Sequence, residues 1–241
     1  TGRRWVDALR LLRRMQAVAL PPDVITFSNL ISVLDRCGEY DRARALFFEM
    51  TDHDVEPDKM TYSSVISACG KSGRWQEALR ILFCDSDRKG LPQWPDVVAF
   101  SAAVSACERS SKWQLSAAVF ERMLSSRLRP NVVTFGAVVS ACERGRQWRA
   151  ALETLREMHE ASIPPDGVTC NAAISACGKA LRWSGSLELL RGMPKLRLRP
   201  DEVARSAVML ACARASQLDS VLDVFRGSIG GDDAVRFGRG G

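Results

Sequence analysis

Apolar residues recur along most of the chain with a spacing that predicts paired α-helices. In the first helix of each pair, here called helix A, the fourth, seventh, eighth and eleventh positions are mostly apolar, as in Phe135, Val138, Val139 and Cys142. These intervals place the side chains on one face of an α-helix, whereas a strand would alternate apolar and polar residues. A Pro-Asp or Pro-Asn pair precedes each helix A, and its second residue can cap the helix.

The same pattern returns about every 35 residues and divides the chain into repeats. Counted from the residue after the Asp or Asn, the complete repeats are 24–58, 59–96, 97–131, 132–166 and 167–201. The second has a three-residue loop insertion near residues 91–94. Residues 1–23 are predicted to be the C-terminal half of a preceding repeat, 202–229 a degenerate terminal repeat and 230–241 a flexible Gly-rich tail. Such repeats stack on their neighbours, so the sequence predicts an all-α fold of helix–turn–helix repeats.

An aromatic residue marks the start of the second helix, helix B, at the seventeenth position of the repeat. The series is Trp5, Tyr40, Trp75, Trp113, Trp148 and Trp183. A regular Trp series could form a ladder on which nucleic-acid bases stack. The small and apolar residues that follow on helix B favour the other interpretation, in which each ring packs between neighbouring repeats.

The cysteines are predicted to be core residues. Five of the eight occupy the eleventh position of helix A: Cys69, Cys107, Cys142, Cys177 and Cys212. The chain has no Cys-x-x-Cys pair and only two histidines, so we expect no metal site and no disulfide framework. Free core cysteines indicate a reducing compartment. No apolar run is long enough for a membrane span, and the net charge of +6 mildly favours a polyanionic partner.

A stripe of side chains on helix A, opposite the core, repeats as regularly as the core itself. Its second position is aliphatic or Met: Ile25, Met60, Val98, Val133, Val168 and Val203. Its fifth is small or carries an amide: Ser28, Ser63, Ser101, Gly136, Asn171 and Ser206. Its thirteenth is basic: Arg36, Lys71, Arg109, Arg144, Lys179 and Arg214. A cation in the last helical turn is also favoured by the helix dipole.

This combination of side chains suits single-stranded nucleic acid. Cations can follow the phosphate backbone, apolar surfaces can receive bases, and small polar groups can read base edges. The alternative is a protein–protein interaction scaffold, because helical-repeat grooves also bind peptides. A peptide groove has no reason to repeat both the cation and the small polar residue.

The repeats resemble the pentatricopeptide repeat family over residues 1–229. The resemblance is carried by the 35-residue period, the Pro-Asp/Asn hinge, the Val-Thr-Phe start of helix A and the Glu-Met end of helix B, as in Glu49-Met50 and Glu157-Met158. It implies a right-handed α-solenoid that binds single-stranded RNA, one base per repeat. It also implies action in a chloroplast or mitochondrion, in RNA processing, RNA stability or translation, without a cofactor, membrane or small-molecule substrate.

In that family the fifth and last residues of a repeat read the base together, position-two residues of adjacent repeats sandwich it, and the position-thirteen cation meets phosphate. The resemblance therefore implies base-reading pairs of Ser28 with Asp58 (guanine), Ser63 with Asp96 (guanine), Ser101 with Asn131 (adenine), Gly136 with Asp166 (a purine) and Asn171 with Asp201 (uracil). The loop insertion can displace Asp96. The implied target is 5′-G-G-A-(purine)-U-3′.

We expect no catalytic activity from these residues. The deaminase domains of some family members need His-x-Glu and a later Cys-x-x-Cys around zinc. His53 is followed by Asp54-Val55 and His159 by Glu160-Ala161, so neither fits. Asp232-Asp233 lies in the Gly-rich tail and is a poor candidate for a metal-dependent nuclease. The predicted function is binding.

Overall fold

The computed structural model describes residues 4–18, 20–84 and 95–217. Over these ranges the chain forms twelve α-helices, one short 3-10 helix (Met193–Leu196) and no strand. The α-helices are α1 (Arg4–Ala17), α2 (Val24–Cys37), α3 (Tyr40–Asp52), α4 (Lys59–Lys71), α5 (Trp75–Cys84), α6 (Val97–Arg109), α7 (Trp113–Ser125), α8 (Val132–Arg144), α9 (Trp148–Glu160), α10 (Gly167–Lys179), α11 (Trp183–Gly192) and α12 (Glu202–Arg214). The predicted loop insertion and the tail lie outside the described residues.

Even-numbered helices are helix A of the predicted repeats, and odd-numbered helices are helix B. The chain divides into two compact units, residues 1–134 and 135–241. In the first unit α2, α4 and α6 pack side by side, and each also packs on the helix B that follows it. In the second unit α10 packs on α9, α11 and α12. Each unit is therefore a stack of helical hairpins, and the predicted all-α fold is confirmed.

The acidic residue before helix A caps it as predicted. The Oδ1 atom of Asp23, for example, accepts a hydrogen bond from the backbone N–H of Thr26 at 2.8 Å. The same 2.8 Å bond, to the third residue of the helix, recurs at Asp58, Asp96, Asp166 and Asp201. Asn131 caps α8 in the same way at 2.9 Å. Each cap satisfies one of the N–H groups that the first helical turn leaves without a partner.

The turn from helix A to helix B is made by one residue in the left-handed region at the fifteenth position of each repeat. These residues are Gly38, Gly73, Ser111, Arg146, Leu181 and Ser216, with φ between 55° and 76°. The N–H of the next residue returns to the carbonyl of the eleventh position, as from Arg74 to Cys69 at 2.9 Å. This closure ends helix A and lets helix B fold back on it.

The predicted apolar face of helix A forms the core. In α4, for example, Tyr62, Val65, Ile66 and Cys69 are all at most 2% exposed. Burial raises the pKa of the Cys69 thiol to about 12, and the pKa values of Cys107 and Cys142 to about 11. The seven cysteines whose side chains the structure describes are free, and all except Cys37 are buried. The prediction that the eleventh-position cysteines are core residues is confirmed.

The helix B aromatic rings pack against cations of the following repeat. The guanidinium of Arg42 lies 3.9 Å from the centre of the Trp5 ring, and that of Arg74 lies 4.6 Å from Tyr40. Lys112 over Trp75 and Arg182 over Trp148 repeat the arrangement at 5.8 and 4.6 Å. These rings contribute to contacts between repeats, which supports the packing interpretation over a base-stacking ladder.

Candidate nucleic-acid interface

The second position of every helix A places an apolar side chain in solvent. These residues, from 58% to 69% exposed, are Ile25, Met60, Val98, Val133, Val168 and Val203. Their regularity is the notable feature, because single exposed apolar residues are ordinary on protein surfaces. Each lies near the start of its helix, on the side away from the buried core face.

The structure brings the first predicted base-reading pair together. The hydroxyl of Ser28 lies 3.2 Å from Oδ1 of Asp58. The same hydroxyl donates to the backbone carbonyl of Val24 at 2.7 Å and lies 2.7 Å from the hydroxyl of Thr61. Thr61 in turn donates to Asp58 at 2.7 Å. One network therefore fixes Ser28, Thr61 and the capping carboxylate, and Ser28 is only 3% exposed.

The pair Ser101 and Asn131 is joined through a threonine. The hydroxyls of Ser101 and Thr134 lie 2.6 Å apart, and Thr134 donates to Oδ1 of Asn131 at 2.9 Å. Ser101 also lies 2.6 Å from the carbonyl of Val97, to which it donates. The side-chain amide of Asn131 is thus held by its oxygen, and the orientation of the amide is defined.

Asn171 and Asp201 contact each other directly. Nδ2 of Asn171 donates to Oδ2 of Asp201 at 2.8 Å, while Oδ1 of Asp201 accepts the capping bond from the N–H of Ala204. The Ala204 N–H, together with the Asn171 amide, lowers the pKa of Asp201 below its usual value. The Asp201 carboxylate is therefore ionised at neutral pH, and each of its two oxygens accepts a hydrogen bond.

The remaining two pairs are less connected. Ser63 donates to the carbonyl of Lys59 at 2.8 Å, and among the described residues no hydrogen bond joins it to Asp96. Gly136 offers no side chain to Asp166. A Cβ atom there would lie 3.0 Å from the hydroxyl oxygen of Thr169, and that hydroxyl donates to Asp166 at 2.6 Å.

A threonine at the third position of helix A is part of the site, and the sequence analysis did not single it out. Thr61, Thr134 and Thr169 are at most 1% exposed, and each donates to the last residue of the preceding repeat. The two repeats with Ala99 and Ala204 at this position lack the bridge. The available signal was the recurrence of Thr in the Val-Thr-Phe start of helix A.

All six position-thirteen cations are exposed at the end of helix A. Lys71 and Lys179 form ion pairs with the preceding repeat. Nζ of Lys71 lies 2.9 Å from Oδ2 of Asp35, and Lys179 pairs with Glu143. Predicted phosphate-contacting residues are thus exposed, but Lys71 and Lys179 are bound to carboxylates in this structure.

Within the first unit these positions line one groove of about 350 Å³. Its walls include Ser63 and Lys71 from one repeat, Val98, Ser101 and Arg109 from the next, and Asn131. The groove therefore joins an apolar surface, predicted base-reading residues and cations within a single site.

Two other classes of site are not found in the part of the chain that the structure describes. No group of three or more His, Cys, Asp or Glu side chains there could hold a metal ion. None of the described helices combines the length and the apolar character that a membrane crossing requires.

The fold and the groove define a helical-repeat protein that presents the same set of side chains from successive repeats. Comparison with known families agrees. The PPR repeat family matches residues 22–71 and 130–179, the pentatricopeptide repeat domain matches 81–144, and the PPR repeat matches 60–84 and 168–198. Together these matches span residues 22–198. The chain belongs to the pentatricopeptide repeat family.

Solved structures are similar over most of the chain. The crystal structure of PPR10 from maize is 27% identical with a TM-score of 0.66, covering 94% of this chain and 32% of PPR10. PPR10 in complex with an 18-nt psaJ RNA element is 26% identical with a TM-score of 0.65, covering all of this chain and 33% of PPR10. The chain therefore spans about a third of the length of PPR10.

A third structure shares the fold at lower identity. The PPR domain of Arabidopsis thaliana protein-only RNase P 1, in complex with tRNA, is 17% identical with a TM-score of 0.62 and covers 70% of this chain and 87% of that domain. No curated protein sequence matches the chain.

Proposed function

We propose that this chain binds single-stranded RNA through the helix A groove, with one base per repeat. The observation that carries the proposal is the groove in the first unit, where exposed apolar residues, hydrogen-bonding side chains and cations meet. These are the three components that single-strand binding requires. The similarity to PPR10, whose structure contains an RNA element, supports the same conclusion.

The proposed mechanism assigns a role to each position. Position-two side chains of adjacent repeats sandwich a base, and the fifth and last residues form hydrogen bonds to its edge. The direct contact between Asn171 and Asp201 and the network around Ser28 and Asp58 support a concerted reading by each pair. The resulting target is 5′-G-G-A-(purine)-U-3′, and the position-thirteen cations contact phosphate.

We further propose that the protein acts by binding and not by catalysis, in the processing, stability or translation of RNA in a chloroplast or mitochondrion. A bound protein can block nucleases or remodel a transcript without chemistry of its own. The competing proposal is a protein–protein scaffold. The conjunction of exposed cations with hydrogen-bonded polar pairs favours RNA.

Competition between two RNA oligonucleotides tests this function. We expect an oligonucleotide containing GGAGU to displace a labelled copy of itself much more effectively than one containing CCUCA. The slope of log affinity against log salt should be about −0.7 for each phosphate contact on a single strand, so the six position-thirteen cations set a limit of about −4. Equal displacement by both sequences would contradict base-specific binding. An affinity that does not depend on salt would favour the protein–protein scaffold.

A further inference from the structure

The twelfth position of helix A provides a carboxylate that binds the cation of the next repeat. In the first unit this residue is Glu108 in the repeat 97–131 and Asp35 in the repeat 24–58. Oδ2 of Asp35 accepts from Nζ of Lys71 at 2.9 Å, and its backbone carbonyl accepts from the same ammonium at 3.0 Å. The Asp35 side chain is only 13% exposed, and that of Lys71 is 36% exposed. Two acceptors therefore hold the ammonium at a site that is partly shielded from solvent.

The second unit contains an equivalent pair. Glu143 is the twelfth residue of its repeat and Lys179 the thirteenth residue of the next, and the two form an ion pair. The hydroxyl of Ser175, at the ninth position, donates to the same carboxylate oxygen at 2.8 Å. The Glu143 side chain is 18% exposed. The arrangement thus occurs in both units, which favours a role for the carboxylate beyond chance surface pairing.

We propose that these twelfth-position carboxylates weaken RNA binding by occupying the cations that would otherwise contact phosphate. This inference rests on the proposed RNA-binding function. A phosphate approaching Lys71 has to displace Asp35, and the displaced carboxylate then repels it at short range. The displaced carboxylate attracts cations from solution and so offsets counterions released from the RNA, and this site therefore contributes less to the salt dependence of binding. The protein gains selectivity, because a larger share of its affinity comes from the bases.

Packing explains why the carboxylate is absent from the repeat 59–96, whose twelfth residue is the buried Gly70. Gly178 and Ala213 occupy the same position in the repeat 167–201 and in the terminal repeat. A Cβ atom on Gly70 would lie 3.2 Å from Cβ and 3.3 Å from Cα of Ala106, because α4 and α6 approach closely at this point. A carboxylate cannot be accommodated in that space.

Neutralising both acids tests the inference. The variant Asp35→Asn/Glu143→Gln keeps the size of both side chains and removes their charge. Its RNA affinity is measured by titrating it against a fluorescent single-stranded RNA that contains GGAGU, at several salt concentrations. We expect about three- to tenfold tighter binding at low salt, since two ion pairs are removed and each solvent-accessible pair is worth up to about fivefold. The salt slope should steepen by about 1.4, or about 0.7 for each released cation.

Glu153→Gln is the matched control. It removes one negative charge from α9, where Glu153 pairs with Arg156 at 3.0 Å on an exposed helix B surface. A second comparison is Lys71→Met, whose loss of RNA affinity should be larger in the Asp35→Asn background than in the unmodified chain. Thermal unfolding checks that each variant is folded. If Asp35→Asn is not folded, Asp35→Ala is used in its place.

Three results would overturn the inference. The first is that the double variant binds RNA no more tightly than the Glu153→Gln control. The second is that the double variant has the salt slope of the unmodified chain. The third is that Lys71→Met lowers RNA affinity equally in both backgrounds. Acetylation of Lys71, followed by mass spectrometry without RNA, is an independent measurement and should be faster in Asp35→Asn. If the unmodified chain binds the RNA and the double variant binds no better, the inference fails alone. If neither binds, the proposed function fails as well.

Discussion

At the scale of single residues, the predicted base-reading side chains do not act alone. Ser28 is fixed by the carbonyl of its own helix and by Thr61 of the next repeat. Thr61 also donates to Asp58, so one buried hydroxyl couples the two residues that are proposed to read the base. A side chain with a defined orientation loses less conformational freedom on binding than a mobile one. The third position is therefore part of the site.

Thr61→Val tests this coupling, because valine keeps the shape of threonine and removes its hydroxyl. We expect the free energy of unfolding to fall by about 1 kcal/mol, the usual contribution of a buried hydrogen bond. The control is Thr51→Val, in which the lost bond to the carbonyl of Phe48 is an exposed one within helix B. Urea unfolding measures both variants. Equal stability of Thr61→Val and the unmodified chain would show that the network does not hold the pair.

At the scale of the helices, the turns carry a regular conformational strain. The fifteenth position of each repeat is left-handed whether or not it is glycine, and Leu181 at φ 57° is the least suited side chain. A non-glycine residue in this region costs on the order of 1 kcal/mol. The stack tolerates the cost because the turn closes each helical hairpin.

Substitutions at two of these turns should change stability in opposite directions. Gly38→Ala should lower the free energy of unfolding by about 1 kcal/mol, and Leu181→Gly should raise it by a similar amount. The reason is conformational, because an added Cβ on Gly38 meets no atom within 4 Å. Gly167→Ala is the control, since that glycine is equally uncrowded but opens α10 without a positive φ. Chemical denaturation in which Gly38→Ala matches Gly167→Ala would contradict the account.

The helices themselves were predictable because their signals are local. The spacing of Tyr62, Val65, Ile66 and Cys69 marks a buried helical face without reference to any other part of the chain. The Pro-Asp pair marks the start of the next helix for the same reason. The left-handed turn at Leu181 was not predictable, because its sequence carries no glycine and the strain is imposed by the packing of the two helices.

The site was predictable only in part. The cations and aliphatic residues on helix A are exposed as the helical period predicts. The fifth position was predicted to face away from the core, but Ser28, Ser63 and Ser101 are buried against the next repeat. Contacts between repeats did not follow from the sequence, because they depend on how closely neighbouring helices approach. The bridge through Thr134 and the ion pair between Lys71 and Asp35 both arise in this way.

At the scale of the whole molecule, the regularity of the repeats is the basis of the proposed function. A polymer with a repeating backbone is matched by a protein that offers an apolar residue and a cation at each step, and a polar pair at most steps. The affinity of any one step is modest, since stacking contributes about 1–3 kcal/mol per base. Selectivity therefore depends on the sum over repeats.

Selection from a randomised single-stranded RNA pool at moderate salt, with sequencing of the retained molecules, tests this claim most directly. We expect enrichment of a core that reads G-G-A, a purine and U, in this order from the 5′ end. A parallel selection with Asn171→Ser should change the last base from U to G, because Ser with Asp201 has the same two residue types as Ser28 with Asp58. Retention without any enriched core, or no retention at all, would contradict the account.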